Sequence, residues 1–484
     1  MRGIGSVRLA AIAGAIMLSV AAPATPSKLG PAIPGRLVIL RDNFKTVPAG
    51  YVTEEHFLSG TAKSWRFVNG ASAPQGAIEP AGEAPFTTRL IVVRPTDPKR
   101  FNGTVLVEWL NVSGGADGAP EWTWLHREML RKGYAYIAVS AQRIAIDGVG
   151  MAMMKLPPLK QVDPARYAAL AHPGDQYSYD IFTQAGGLVR SQTKALLGPL
   201  QPKRVLAAGE SQSAGLLVTY VNSIDPVSRV FDGYLIHSRF GWGRGIDAAR
   251  RPASGAPIPA VGDLFRPDLR VPVLNFISET DLMTKDTGYL VARQPDGPHL
   301  RTWELPGTAH ADTYTLGGND DAGNIADLVK AYQPMSDVFG LKLAKPINAA
   351  PQHHYVVEAA LAALDSWVAG GPPPANTLKI AVAQASPASL IVDANGNASG
   401  GIRTPWMDVP IARLSGTSQT DEGIGRLVGS TEAFDAATLA ALYPGGKADY
   451  LAKFTKALDA AIARGNILAA DRAEILALAA AMYP

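Results

Sequence analysis

The sequence predicts an α/β fold: a mostly parallel, doubly wound sheet with antiparallel N-terminal strands, followed by a smaller C-terminal α+β segment. Three observations carry this prediction. From residue 104 onward, short and nearly continuous apolar runs alternate with helix-period stretches, as expected for strands buried on both faces. Before residue 100 the runs are separated only by Gly, Pro and Ala turns, which favours antiparallel pairing. Residues 205–220 pass from an apolar run through the tight turn Gly209-Glu-Ser-Gln-Ser213 into a helix-period stretch. At 484 residues, 47% hydrophobic and 18% charged, the chain is long enough for one large core and a second, smaller unit.

Taken in order, the chain begins with Arg2 and Arg8 and no acid, an apolar run over residues 9–20, and the small residues Ala21-Ala-Pro-Ala24. These are the three parts of a secretory signal peptide, with an apolar run too short for a permanent membrane anchor. Residues 1–24 are therefore expected to direct export to the periplasm or the medium. Their removal lowers the formal charge from +3 to +1. A near-neutral chain without Lys/Arg runs lacks the footprint of a nucleic-acid binder. With no cysteine, disulfides, thiolate metal sites and a cysteine nucleophile are excluded.

Residues 25–36 read as an arm. Strands are predicted over 37–40, 51–57, 65–68 and 87–93, then over 104–110 and 135–140, with a helix over 121–132 stopped by Gly133. A helix over 179–197 leads to the strand before Ser211. Further strands follow at 230–237, 271–277 and 300–305, then an apolar helix at 353–369. The segments 144–176 and 239–270 are irregular and leave the same side of the sheet. With their Met and Leu residues, Trp242 and Phe265, they offer either an apolar pocket or surface loops anchored in the core. Gly370-Gly-Pro-Pro-Pro374 marks a boundary between a domain over 37–370 and a segment over 375–484 expected to pack on it. That segment reads as strands at 378–382 and 390–392, a turn at 393–397, and helices at 449–464 and 470–482. Arg403 and Trp406 are candidates for reaching a pocket rim.

A strand, a sharp turn with serine at its apex and a helix form the context of a nucleophile elbow. Ser213 stands where a final glycine is usual, a position that needs a small side chain. A serine hydroxyl requires a base, and the base an orienting acid. In such a sheet these groups leave the carboxyl ends of strands. The strand over 271–277 empties into a loop bearing Glu279 and Asp281, and the strand over 300–305 into a loop bearing His310. Either carboxylate is placed to serve as the acid. His237, at another strand exit, is a rival base, and Ser213 a rival serine that falls inside the helix. The Gly416-Thr-Ser stretch has neither strand nor helix beside it and reads as a loop. The oxyanion donors are expected to be the backbone N–H of Gln212 and one from the loop 111–115, assigned to Val112 with Ser113 as the alternative. The turn 393–397 lacks calcium-loop spacing, and His353-His354 point apart on a helix, so no metal is predicted. Neither a phosphate-binding loop nor a dinucleotide fingerprint is present, so no cofactor is predicted.

With Ser211, Asp281 and His310 in this order, residues 37–370 resemble the α/β-hydrolase superfamily. Val271-Pro-Val-Leu274 leading to Ser278-Glu-Thr-Asp281 is similar to its acid-bearing strand, and Leu305-Pro-Gly-Thr-Ala-His310 to its histidine loop. The resemblance implies the α/β-hydrolase fold, with Ser211 as nucleophile, His310 as base and Asp281 as acid. Tyr177-Ser-Tyr-Asp-Ile-Phe182, Asn111-Val-Ser-Gly-Gly115 and Gly401-Ile-Arg-Thr-Pro-Trp406 are similar to one bacterial α/β-hydrolase family across most of the mature chain. The expected function is an exported serine hydrolase acting on a small-molecule or polymeric carboxylic ester through an acyl-enzyme. An acyltransferase, amidase or peptidase would use the same triad, and a non-catalytic binding module on the same fold is the other alternative. The sequence leaves the oligomeric state open.

Overall fold

The computed structural model describes residues 27–40, 44, 47–68, 75–249, 259–317, 324–383 and 387–484. The expected export signal, residues 1–24, lies outside them. Among the described residues no helix is long and apolar enough to cross a membrane.

Nine strands form one sheet: β1 Lys28–Ala32, β2 Tyr51–Phe67, β3 Ile78–Pro95, β4 Thr104–Trp109, β5 Ala135–Val139, β6 Arg204–Glu210, β7 Gly233–His237, β8 Val273–Ser278 and β9 Leu300–Leu305. Their spatial order is β1-β2-β3-β5-β4-β6-β7-β8-β9. The pairs from β1 to β5 are antiparallel and those from β5 through β9 are parallel. Alternate residues of each parallel strand face opposite sides of the sheet, as a two-residue period requires. Leu106, Ala208, Leu235 and Leu274 join one apolar cluster, and Val105, Val107, Val205, Ala207, Tyr234 and Ile236 the other. The first cluster is covered by α1 Pro120–Lys132 and an apolar helix, Gln352–Val368; the second by Ser178–Ser191 and the helix after the elbow, Gln212–Thr219. This double covering buries the central strands on both faces, so most of their residues are apolar.

Some predicted elements are corrected. Residues 51–57 and 65–67 belong to one strand of 17 residues, β2, which ends just before Val68 and pairs along β3 with a single bulge between Ser64 and Trp65. Residues 37–40 are not a strand. Their backbone is held by partners from elsewhere: Val38 N–H donates to Tyr167 Oη at 3.2 Å and Leu40 N–H to Asp117 O at 3.0 Å. The helix over 179–197 is interrupted at Gln192. Residues 378–382 contribute an isolated antiparallel bridge, Ile380 with Gly400, and one residue of the two-residue ladder Val382–Ala383 with Ser389–Leu390. Ile380 explains why, because its N–H donates to the Glu304 carboxylate and its carbonyl accepts from Arg293.

The C-terminal helices Gly446–Ala463 and Arg472–Met482 share the first apolar cluster with the sheet. Trp406 stacks on Tyr355 at 5.8 Å and meets Phe454 edge-on at 5.4 Å, so it lies in this core rather than at a pocket rim. Arg403 is likewise occupied, by Asp408 and the carbonyls of Ala398 and Met407. Arg127 of α1 forms a bidentate pair with Glu474, both contacts at 2.6 Å, and Tyr355 donates to the same carboxylate at 2.7 Å. A shared core of this kind unfolds as a unit. Phe454→Ala should lower stability by about 3–5 kcal/mol while leaving a single thermal transition, read by calorimetry. A separate small transition, in wild type or in the variant, would mean that the C-terminal helices fold apart from the sheet.

Candidate active site

The site lies where β6 ends. Ser211 has φ 62° and ψ −115°, a conformation that an L-residue avoids. Its N–H donates to His237 O at 3.0 Å, continuing the β6–β7 ladder into the turn. The helix Gln212–Thr219 then starts at once, back against the strand. A Cβ added at Gly209 would lie 3.0 Å from Ser213 Cβ, so glycine is needed there and a small residue at 213. Ser213 is buried and donates to Leu110 O at 3.3 Å, which places it in packing rather than at the apex.

His310 connects the turn to the acid loop. Its Nε2 is 2.8 Å from Ser211 Oγ and its Nδ1 is 2.6 Å from Asp281 Oδ1. Asp281 is fully buried on the short helix Glu279–Met283. Its second oxygen accepts from Ser278 N–H at 2.8 Å. Burial alone would raise the Asp281 carboxyl, but His310 and the Ser278 contacts hold it below the usual carboxylate range. Burial also disfavours charge on His310, while the carboxyls of Glu210 and Asp281 outweigh it and raise the imidazole. The Phe240 ring stacks on His310 at 5.1 Å and an angle of 23°.

Of the two candidate acids, the structure brings only Asp281 to the histidine. Glu279 points the other way and accepts from Gly307 N–H at 2.7 Å and Gly416 N–H at 2.8 Å. It thereby ties the histidine loop to the C-terminal segment. The rival base His237 is fully buried, 3.3 Å from Glu121 and 3.1 Å from His353 Nε2. Burial holds its imidazole down to about 3, so it stays neutral.

The loop after β4 supplies the other wall. Asn111 donates to Glu210 O at 3.1 Å, and Val112 N–H donates to the Gln212 side-chain oxygen at 3.4 Å. Val112 N–H therefore faces the elbow. Gln212 N–H, the first of its helix, has no partner four residues back within that helix. Gly115, at φ 89°, lets residues 154–156 run across this loop: an added Cβ would lie 3.0 Å from Met154 O. Of the residues considered for a pocket, Trp242 and Phe265 are buried, whereas Met151 and Met153 are exposed. A cavity of about 450 Å³ lies at the opposite ends of the strands, lined by Lys203, Asp232, His299 and Trp367 among others, and takes no part in this arrangement.

Sequence reasoning missed the part played by residues 415–430. Gly416 sits between the acid and histidine loops so closely that an added Cβ would lie 2.4 Å from Thr308 O and 2.6 Å from Thr280 N. Ala311 N–H donates to Leu427 O at 3.0 Å, and Asn348 bridges Gly307 O and Ser415 O at 2.9 and 3.1 Å. Gly416 and Gly429 were the available signal, but their partners are distant in sequence. Glu210 was also missed. Its Oε1 stands 3.3 Å from His310 Nε2, and burial pushes its carboxyl up.

A largely parallel sheet with an elbow at a central strand end, and acid and histidine loops at the next exits, defines the α/β-hydrolase class of protein. The model of the alpha/beta hydrolase domain family matches residues 20–477, and the chain belongs to that family; by class it is a hydrolase. Similar solved structures include a putative dienelactone hydrolase from Klebsiella pneumoniae subsp. pneumoniae, at 14% identity over 53% of this chain and 88% of that one, with a TM-score of 0.29. A thermostable esterase from Pseudomonas putida is 14% identical over 48% of this chain and 65% of that one, with a TM-score of 0.25. An esterase from Xanthomonas oryzae that degrades rice cell wall is 12% identical over 45% and 50%, with a TM-score of 0.23. No curated protein matches the chain.

The two carboxylates predict opposite phenotypes. Asp281→Asn should lower the second-order rate of fluorophosphonate labelling of the folded protein about 10⁴-fold. Glu279→Gln should lower stability by about 1–3 kcal/mol by spoiling buried hydrogen bonds, while the folded fraction still labels. Loss of labelling confined to the Glu279 variant would reverse the assignment.

Proposed function

We propose that the chain is a serine hydrolase that cleaves carboxylic esters through an acyl-enzyme, with Ser211 as nucleophile, His310 as base and Asp281 as orienting acid. The observation that carries this reading is the unbroken hydrogen-bonded line from Ser211 Oγ through His310 to Asp281. The serine proton passes to His310 Nε2 as Oγ attacks the acyl carbon. Asp281 steadies the imidazolium through Nδ1. The N–H groups of Gln212 and Val112 receive the oxyanion once the Gln212 side chain gives up its contact to Val112, each such donor lowering the barrier by about 3 kcal/mol. His310 then returns the proton to the leaving alkoxide. A water deprotonated by the same nitrogen adds to the acyl carbon, and Nε2 returns that proton to Ser211 Oγ as the Oγ–carbon bond breaks, releasing the acid.

Esters are favoured because an alkoxide leaves with less proton assistance than an amine. An acyl-enzyme of this kind also serves transfer to an alcohol, amide cleavage or peptide cleavage. The signal-peptide pattern of residues 1–24 supports action outside the cytoplasm.

The test uses short aryl esters, the matching amides, and esters with an added alcohol acceptor. Ester hydrolysis should dominate, and Ser211→Ala should lower it by about 10⁴-fold or more. Undiminished turnover in Ser211→Ala, or a folded wild type inert to esters and unlabelled by a fluorophosphonate, would overturn the reading.

A further inference from the structure

Glu210 precedes Ser211, and its carboxylate faces the reacting side of His310. Oε1 lies 3.3 Å from Nε2, the nitrogen that is also 2.8 Å from Ser211 Oγ. The side chain is buried. Asn111 holds it from the loop after β4, with Nδ2 3.1 Å from Glu210 O and 3.4 Å from Oε2. Among the described residues no lysine or arginine pairs with this carboxyl. The titratable groups that face it are His310 and, behind His310, Asp281; Glu121 from α1; and His237, its register partner on β7. His310 in turn is faced by Asp281, Glu210, Ser211 and the Phe240 ring, with the neutral His237 and His353 behind it.

We propose that Glu210 is a positioning residue of this site: its carboxyl and the His310 imidazole titrate as a pair that carries one proton, and the charge on Glu210 sets the pH at which His310 becomes a base. This rests on the serine-hydrolase reading. A buried carboxylate without a cationic partner is costly, and so is a buried imidazolium. Each is tolerated beside the other, and Asp281 supplies a second negative charge. Two such groups titrate as a pair, sharing a proton instead of ionising independently. With the proton on the Glu210 carboxyl, Nε2 is unprotonated and its lone pair accepts from Ser211 Oγ–H, at 2.8 Å. The Oγ–H proton then moves to Nε2 as the Oγ–carbon bond forms, and from Nε2 to the leaving alkoxide as the carbon–alkoxide bond breaks. The Glu210 proton stays in place through that sequence. With the shared proton on Nε2, the imidazole has no lone pair and Ser211 is not activated. Removing the negative charge therefore makes His310 easier to deprotonate.

The test compares wild type with Glu210→Gln. The pH dependence is followed for fluorophosphonate labelling and for kcat/KM on an aryl ester, with folding checked by thermal unfolding. The acid limb should move to lower pH by about one unit or more, the shift expected when a charge within 4–6 Å is lost. A purely structural role, holding Asn111, would lower the plateau and leave the limb in place; that result in folded protein overturns the proposal. If the variant does not fold, ¹⁵N-histidine NMR of the wild type reads the same property, with His310 assigned by its absence in His310→Asn. An imidazole titrating above the ordinary histidine range supports the proposal, and one at or below that range contradicts it. The two readings fail separately. An inert wild type whose His310 still titrates lower in Glu210→Gln removes the ester reading alone, whereas Ser211-dependent turnover with an unmoved limb removes this one.

Discussion

Ser211 sits at φ 62°, a backbone state that costs an L-residue about 1–3 kcal/mol. The rest of the site depends on that state being held. The strand side is fixed by the ladder from Glu210 and Ser211 to His237. The helix side is fixed by close approach, since Gly209 leaves just enough room for Ser213. The result is a hydroxyl that leaves the sheet plane and meets His310, which a relaxed loop would not hold in place. The strain is local, and it is opposed by a sheet whose central strands are buried on both faces.

Four buried carboxyls then organise the strand ends, each in a different environment. Glu108, inside the apolar strand β4, accepts from the N–H groups of Glu121 and Trp122 and so anchors the start of α1. Glu279 accepts from Gly307 and Gly416 and locks the histidine loop onto the C-terminal segment. Asp281 is supplied with donors and kept ionised, and Glu210 is supplied with few and pushed toward its neutral form. Placement of donors, rather than residue type, separates these roles. Residues 415–430 belong to the same construction, because they fix the loops that carry the acid and the histidine.

Much of this was legible in the sequence, and for identifiable reasons. The parallel strands announced themselves because burial on both faces leaves them mostly apolar, with a few buried polar residues such as Glu108 and Asn275. Ser211, Asp281 and His310 were legible because each follows a strand directly, so chain order predicts spatial order. Local patterns could not decide between Asp281 and Glu279, which leave the same strand end; the decision lies in which carboxyl meets His310 and which meets Gly416, 137 positions beyond Glu279. Residues 51–67 hid a single strand behind Ser59-Gly60, a turn-like pair that stays extended because β3 pairs with it throughout. Residues 378–382 had the composition of a strand, but Glu304 and Arg293 claim the backbone groups of Ile380.

The central claim is that Ser211 carries the acyl group during turnover. Intact-protein and peptide mass spectrometry of enzyme quenched during hydrolysis of an aryl ester tests it most directly. If Ser211 is acylated, the mass rises by one acyl group on the peptide that contains Ser211, and the increase is absent from Ser211→Ala. Turnover with no acyl adduct in wild type, or an adduct on another residue that survives Ser211→Ala, would contradict it.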